Sequence, residues 1–279
     1  MWDGGGSMDY DRLLDLTAEI GCRLMSSGAE IYRVEESMRR LLEAYRLDTA
    51  EVFAIPSCVI VSATTPEGHP ITRMRRIPAH GTDLELLERC NSLCRSLCAA
   101  PPSLEDARAR LDALPDHLPH YRPQQILLGY AVAPAFFVPL FGDSLVGRAF
   151  GGGQTAELLG VMLSDALCAV LCGLAVGVCA LYGKRLLGSN GFFHTAVCSA
   201  AASLSALFLA GLGLGEHLDV ITISVLMMLV PGVALTNAMR EIMAGDTISG
   251  LARTAEAVLT AGAIALGTAA GLAIARAVA

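Results

Sequence analysis

Four stretches of this chain carry no charged side chain at all: residues 123–142, 186–215, 220–239 and 257–275, which are 20, 30, 20 and 19 residues long. A helix needs about 20 apolar residues to cross roughly 30 Å of hydrocarbon, so each stretch is long enough for one crossing and too short for two. A fifth stretch, residues 158–183, is interrupted only by Asp165. Lipid offers no partner for backbone N–H and C=O groups, so such segments must be helical. Five transmembrane helices are therefore expected over residues 123–279.

The rest of the chain is different in kind. Residues 1–122 hold 14 Lys/Arg and 19 Asp/Glu, against 6 and 8 in residues 123–279. With 53% apolar residues overall, the excess of hydrophobicity sits in the second part. The first part reads as a water-soluble domain over residues 9–122, preceded by a Gly-rich flexible leader at 1–8. No apolar stretch typical of a secretory signal is read in residues 1–15, so this domain is expected in the cytoplasm. A net charge of −7 leaves no basic stripe to displace counterions, which argues against nucleic acid as a partner. The nine cysteines are an odd number lying mostly in apolar, helix-like runs, as expected of small hydrophobic residues in a reducing compartment.

Loop charge sets the orientation. With the N-terminus inside, the inner loops hold Lys184, Arg185, Arg240 and Arg253, whereas the outer segments hold only Arg148 and Arg276. The expected topology is multi-pass in the cell membrane, N-terminus in and C-terminus out.

Within the soluble domain the periodicity predicts an α+β fold. Leu13, Leu16, Ile20 and Leu24 keep helical spacing, Gly28 interrupts, and Ile31, Val34, Met38, Leu41 and Leu42 resume it, as in a broken helical hairpin or a kinked long helix. Residues 52–55, 59–64 and 71–77 are rich in β-branched residues, with Pro66-Glu67-Gly68 as a turn, and predict a small antiparallel sheet. Residues 84–98 return to helical spacing, and Ser103 caps a last short helix ended by Pro115 and Pro119.

Several residues carry possible chemistry. Pro231, inside the fourth span, removes a backbone donor and should kink or open the helix, and Gly232 eases the opening. Transporters bind solutes at such breaks. Thr236, Asn237 and Arg240 follow and could address one solute with hydroxyl, amide and guanidinium; the plainer reading is a tolerated kink followed by an interfacial arginine. Asp246 and Ser249 are natural caps for the fifth helix, with Arg253 able to pair with Glu256. Alternatively, Arg240 and Arg253 form an electropositive inner vestibule for carboxylates, which arginine binds through paired hydrogen bonds. Asp165 is the one acid within a span, either a coupling or substrate-contact group or an interfacial residue. Cys90, Cys94 and Cys98 share a helix face with leucines and read as core thiols rather than metal ligands. Gly173-x-x-x-Gly177 and Gly267-x-x-x-Gly271 suggest close helix packing or subunit association, including a homo-oligomer. No cofactor motif and no metal motif is present.

The run Ser27-Gly28-Ala29-Glu30-Ile31-Tyr32-Arg33-Val34-Glu35, with Thr72-Arg73 and Asn91, resembles the cytoplasmic domain of the threonine/serine exporter family. The membrane motif Pro231-Gly232…Leu235-Thr236-Asn237-Ala238…Arg240, continuing through Gly245-Asp246-Thr247, Ser249-Gly250 and Arg253, is similar to that family's signature, and the resemblance covers nearly everything after Met8. It implies a larger subunit of the split type, made of a cytoplasmic domain and five helices. Such a subunit works with a small, separate multi-span membrane subunit to export threonine, serine or a dicarboxylate such as succinate. It also implies that Glu30, Arg33 and Glu35 help form a ligand or docking site, where the residues alone suggest a solvated helical face with local ion pairs. The competing functions are a membrane-anchored hydrolase using Ser62, His69 and His80, which no nucleophile elbow, P-loop or His-Glu-x-x-His supports, and a ligand-sensing scaffold.

Overall fold

The computed structural model describes residues 8–77, 81–114, 121–141, 155–187 and 190–278. Most of the expected leader, His80, Pro115, Pro119 and Arg148 lie outside them. The chain forms two compact units, Met1–Pro119 with Ala234–Thr254, and His120–Val233 with Ala255–Ala279.

The first unit opens with α1 (Tyr10–Ser26) and α2 (Ile31–Ala44). Asp9 caps α1 by accepting from the Arg12 N–H at 3.1 Å. The two helices form a broken hairpin: Gly28, at φ 98°, turns the chain where an L-residue would be strained. Strands β1 (Glu51–Ile55), β2 (Cys58–Thr64) and β3 (Pro70–Arg76) follow as an antiparallel sheet in the order β1-β2-β3, with Val52 opposite Val61 and Val61 opposite Arg73. Along β2, Val59, Val61 and Ala63 are buried and alternate with more exposed residues, the period-2 pattern of a sheet with one covered face. α3 (Leu84–Ala99), capped by Asp83, and α4 (Leu104–Asp112), capped by Ser103 through the Asp106 N–H at 3.1 Å, complete the layer of helices. Leu13, Ile20, Leu24, Met38, Leu41, Leu42, Leu97 and Leu111 fill the core, and Cys90 and Cys94 are buried with them. Burial pushes these thiols up to about 11 and about 12, far from the reactive thiolate.

The second unit is helical. α5 (Pro123–Phe141), α6 (Thr155–Leu187) and α7 (Gly191–Gly211) are followed by α8 (Leu218–Leu226), α9 (Gly232–Ala244) and α10 (Thr247–Val278), the last two each having residues assigned to both units. Among the described residues, four helices are long and apolar enough to cross a membrane: Pro123–Phe141, Gly160–Gly183, Gly191–Gly211 and Thr247–Ala277. The expected fourth span, residues 220–239, is not one helix. α8 ends at Leu226, Met227 to Leu229 form a turn, and the helical path resumes only at Gly232, after the proline that cannot donate a backbone bond. Ala234–Thr254 belong to the first unit, so the uncharged run that looks like a single span is divided between the two.

Small residues draw the helices of the second unit together. A Cβ on Gly173 would collide with the Tyr130 carbonyl, and one on Gly177 would meet the Tyr130 side chain, so α5 and α6 touch backbone to side chain. Gly267 and Gly271 face Ala196, Ser199, Ala200 and Ser203 of α7 in the same way. The Ser199 hydroxyl donates to the Ala196 carbonyl at 3.0 Å, and Ser203 to that of Ala200 at 3.0 Å. Both Gly-x-x-x-Gly faces are thus occupied by helices of the same unit.

Candidate functional site

The candidate site lies in the first unit, where the end of α9 and the start of α10 meet the turn between α1 and α2. That turn presents two carbonyl oxygens. Arg253 donates from Nη2 to Ala29 O at 2.9 Å, and the Asn237 amide reaches Gly28 O at 3.5 Å. Glu30 occupies the N-cap position of α2 without capping it. Its carboxylate instead meets Arg240 Nη1 through Oε1 at 2.6 Å and Arg33 Nε through Oε2 at 2.8 Å. Glu30 is only 7% exposed, whereas the Arg240 side chain is 58% exposed, so an accessible guanidinium is held by a buried acid.

A second acid completes the cluster. Glu241, at 0% exposure, lies 3.1 Å through Oε1 from Arg253 Nε, and neither carboxylate oxygen has a hydrogen bond of ordinary geometry. Two buried carboxylates thus lie against three guanidiniums, and each arginine of the expected vestibule, Arg240 and Arg253, is already paired with an acid. The acids differ in proton affinity. Burial favours the neutral form of Glu30, but hydrogen bonds from Arg240 and Tyr32 and the charges of Arg33 and Arg240 outweigh it, holding its carboxyl below 4.5. Burial also dominates at Glu241, where the Arg253 charge and the Ile31 N–H offset it only in part and Asp246 and Glu30 add to it; its carboxyl is raised above 4.5. Environments that push two neighbouring acids apart are characteristic of functional sites, although structural ion pairs do the same.

The other residues singled out from the sequence fall in several places. Glu35 accepts from the Ala54 N–H at 2.8 Å and ties α2 to β1, so it serves the fold of the domain. Ser249 is buried at 3% in the first turn of α10, and Asp246 precedes that helix, its carbonyl accepting from Gly250 N at 3.0 Å. Thr236 is exposed on α9. Arg253, whose spacing suggests Glu256 as a partner, pairs with Glu241 of α9. Pro231 and Gly232 belong to the second unit. So does Asp165, 2% exposed, which accepts from Glu216 N at 2.8 Å and from His217 Nδ1 at 2.9 Å and anchors the loop entering α8. Ser62, considered as a nucleophile, instead shares a hydrogen bond with Thr72 at 2.9 Å between neighbouring strands. Sequence reasoning passes over Glu241. Its signal is visible in retrospect: it follows Arg240 directly and lies one helical turn after Asn237, on the same face of α9.

A model of the family described as "Putative threonine/serine exporter" matches residues 15–150 and 144–275. A protein of Mycobacterium tuberculosis (strain ATCC 25618 / H37Rv) named "Probable threonine/serine exporter" is 26% identical over 255 residues, covering 90% of this chain and 44% of its own length. The chain therefore spans less than half the length of that curated relative. No solved structure matches. Two matched segments that together run through almost the whole sequence place this chain in the threonine/serine exporter family.

Proposed function

We propose that the chain is a membrane subunit of an exporter for small carboxylate metabolites, either threonine and serine or a dicarboxylate such as succinate. The carrying observation is the pairing of the exposed Arg240 with the buried Glu30 at 2.6 Å. A guanidinium that already holds a carboxylate in this geometry can hold a solute carboxylate in its place, with Arg253 as the second donor and Asn237 for polar contacts. Pro231, Gly232, Thr236, Asp246 and Ser249 belong to the same sequence motif. The name of the mycobacterial relative supports the solute class, and four long apolar helices support the membrane setting.

More than half of that relative lies outside its match to this chain. A second, small multi-span subunit of the same family supplies the counterpart in this reading. The N-terminal domain faces the cytoplasm and the C-terminus the outside, because the short loops with excess arginine then lie inside.

The deciding experiment is efflux of threonine, serine and succinate from proteoliposomes containing this chain with and without the second subunit, wild type beside Arg240→Gln. Efflux that needs both subunits and falls in the variant supports the reading. Unchanged efflux in Arg240→Gln removes this arginine from the site, and full efflux by the single chain removes the need for a partner.

A further inference from the structure

Among the described residues, Glu241 is a fully buried carboxylate whose oxygens lack ordinary hydrogen bonds and whose one ion-pair partner is Arg253. Removing the partner from a buried ion pair leaves an uncompensated charge, which is strongly unfavourable unless the group changes its protonation state. Arg253 is also the inner of the two arginines through which the proposed solute is held. Solute and Glu241 therefore compete for one guanidinium.

Resting on that reading, we infer that Glu241 is a proton-uptake group of the transport cycle: when a solute carboxylate takes Arg253, Glu241 accepts one proton from water and becomes neutral. The Glu241 side chain is 0% and its Arg253 partner 12% exposed, so a carboxylate left there without its guanidinium has no solvent to offset its charge, and the proton removes that charge. No other covalent change occurs: an O–H bond forms on the Glu241 carboxylate, and Arg253 passes from one carboxylate to another.

The surroundings single out Glu241 rather than Glu30 as the acceptor. Glu30 keeps Arg33 of α2 when Arg240 is engaged elsewhere, at 2.8 Å, and so stays ionised. Glu241 faces Arg253 of α10, the Ile31 N–H of α2, and the negative charges of Glu30 and of Asp246 in the turn between α9 and α10. Loss of Arg253 leaves it among like charges. Burial already biases its carboxyl toward the protonated form, in the same direction as the proposed step.

Linkage gives the sign. If solute binding takes up a proton, a higher proton concentration strengthens solute binding, by at most about tenfold per pH unit for one proton. The test is calorimetric binding of threonine and of succinate to the purified full chain, in two buffers of different ionisation heat and at several pH values, for wild type and Glu241→Gln. The inference expects net proton uptake and tighter binding at lower pH in the wild type, with both effects lost in Glu241→Gln while binding persists. Binding without proton uptake in the wild type overturns it, and so does undiminished uptake in Glu241→Gln. Absence of binding to either protein refutes the solute-site reading itself, and the inference with it. Should Glu241→Gln fail to fold, the wild type decides alone. Threonine, whose own carboxyl stays ionised, must then increase the infrared band of a protonated protein carboxyl, and an unchanged band overturns the inference.

Discussion

Gly28 and Gly245 end two different helices in the same way. Their φ angles are 98° and 101°, and each lies at the centre of the same pair of bonds: Gly28 N to Met25 O with Ala29 N to Leu24 O, and Gly245 N to Ile242 O with Asp246 N to Glu241 O. This is the Schellman arrangement, in which a left-handed residue just past the helix lets two orphan carbonyls be satisfied. One of these turns offers the carbonyls that Asn237 and Arg253 contact, and the other fixes the approach from Glu241 to Arg253.

Replacing Gly28 or Gly245 by Ala is expected to cost about 1–2 kcal/mol for the left-handed conformation alone. Gly28→Ala costs more, because its Cβ would lie 2.8 Å from the Gly81 carbonyl oxygen, which belongs to the backbone and cannot swing away. Thermal unfolding of the purified variants measures this. Equal stability of Gly28→Ala and wild type would show that the turn relaxes.

Arg240→Gln should weaken binding of a small carboxylate by one to two orders of magnitude, from the loss of a charge-assisted hydrogen bond of about 1.5–3 kcal/mol. Glu30→Gln should act in the opposite direction, since it removes the carboxylate that competes for Arg240. Direct binding measurements on the two variants carry the comparison: a loss of the same size in both would assign the pair to folding.

The two acids of the site give stability opposite pH dependences. Glu30 has a lowered carboxyl, so its contribution is present above its unfolded value of 4.5 and is lost as pH falls through its lower folded value. Glu241 has a raised carboxyl, so its contribution is full below 4.5 and is lost as pH rises through its higher folded value. Melting temperatures of Glu241→Gln measured from pH 4.5 upward should therefore decline less with pH than those of the wild type. Parallel curves would refute the burial of an ionisable group at this position.

Asp165→Asn keeps an acceptor for the Glu216 and His217 N–H groups and should retain most stability, while Asp165→Ala leaves part-buried donors unpaired at a cost of about 1–3 kcal/mol. Efflux separates anchoring from coupling. If Asp165→Asn folds like the wild type yet exports nothing, the acid itself takes part in transport.

A reporter fused after Ala279 tests topology. With the N-terminus inside, as proposed, four unbroken helices plus a crossing at the broken segment would put the C-terminus outside; a reporter active only in the cytoplasm would mean that the segment around Pro231 does not complete a fifth crossing.

Much of this architecture was legible in the residues because it follows from periodicity and caps. The α1 and α2 pattern around Gly28, the alternation of Val59, Val61 and Ala63, and Ser103 as a cap are local features that the structure reproduces within a residue or two. Counting spans from charge alone was less successful at residues 220–239, because the uncharged run continues through Pro231 while the helix does not. Asn237, Arg240 and Arg253 were visible as a motif, yet their partners were not. Glu30 lies 210 residues from Arg240 along the chain, and no local spacing reports a pairing that only tertiary structure creates. Glu241 escaped for a related reason: beside an arginine in sequence, an acid reads as a surface pair, and only folding shows it to be enclosed.

The glycine and serine seam between α7 and α10 works as a ruler. Sliding α10 along α7 by one residue would take Gly267 and Gly271 out of their places opposite the Ala196 and Ala200 carbonyls and bring side chains against backbone, and rotation about either axis would do the same. A pair fixed in both depth and phase moves as a single piece. The interruption from Met227 to Pro231 is held instead by short turn bonds, Met228 N to Val225 O, Leu229 N to Leu226 O and Gly232 N to Val230 O, so a change of direction there costs fewer bonds than one inside a continuous helix.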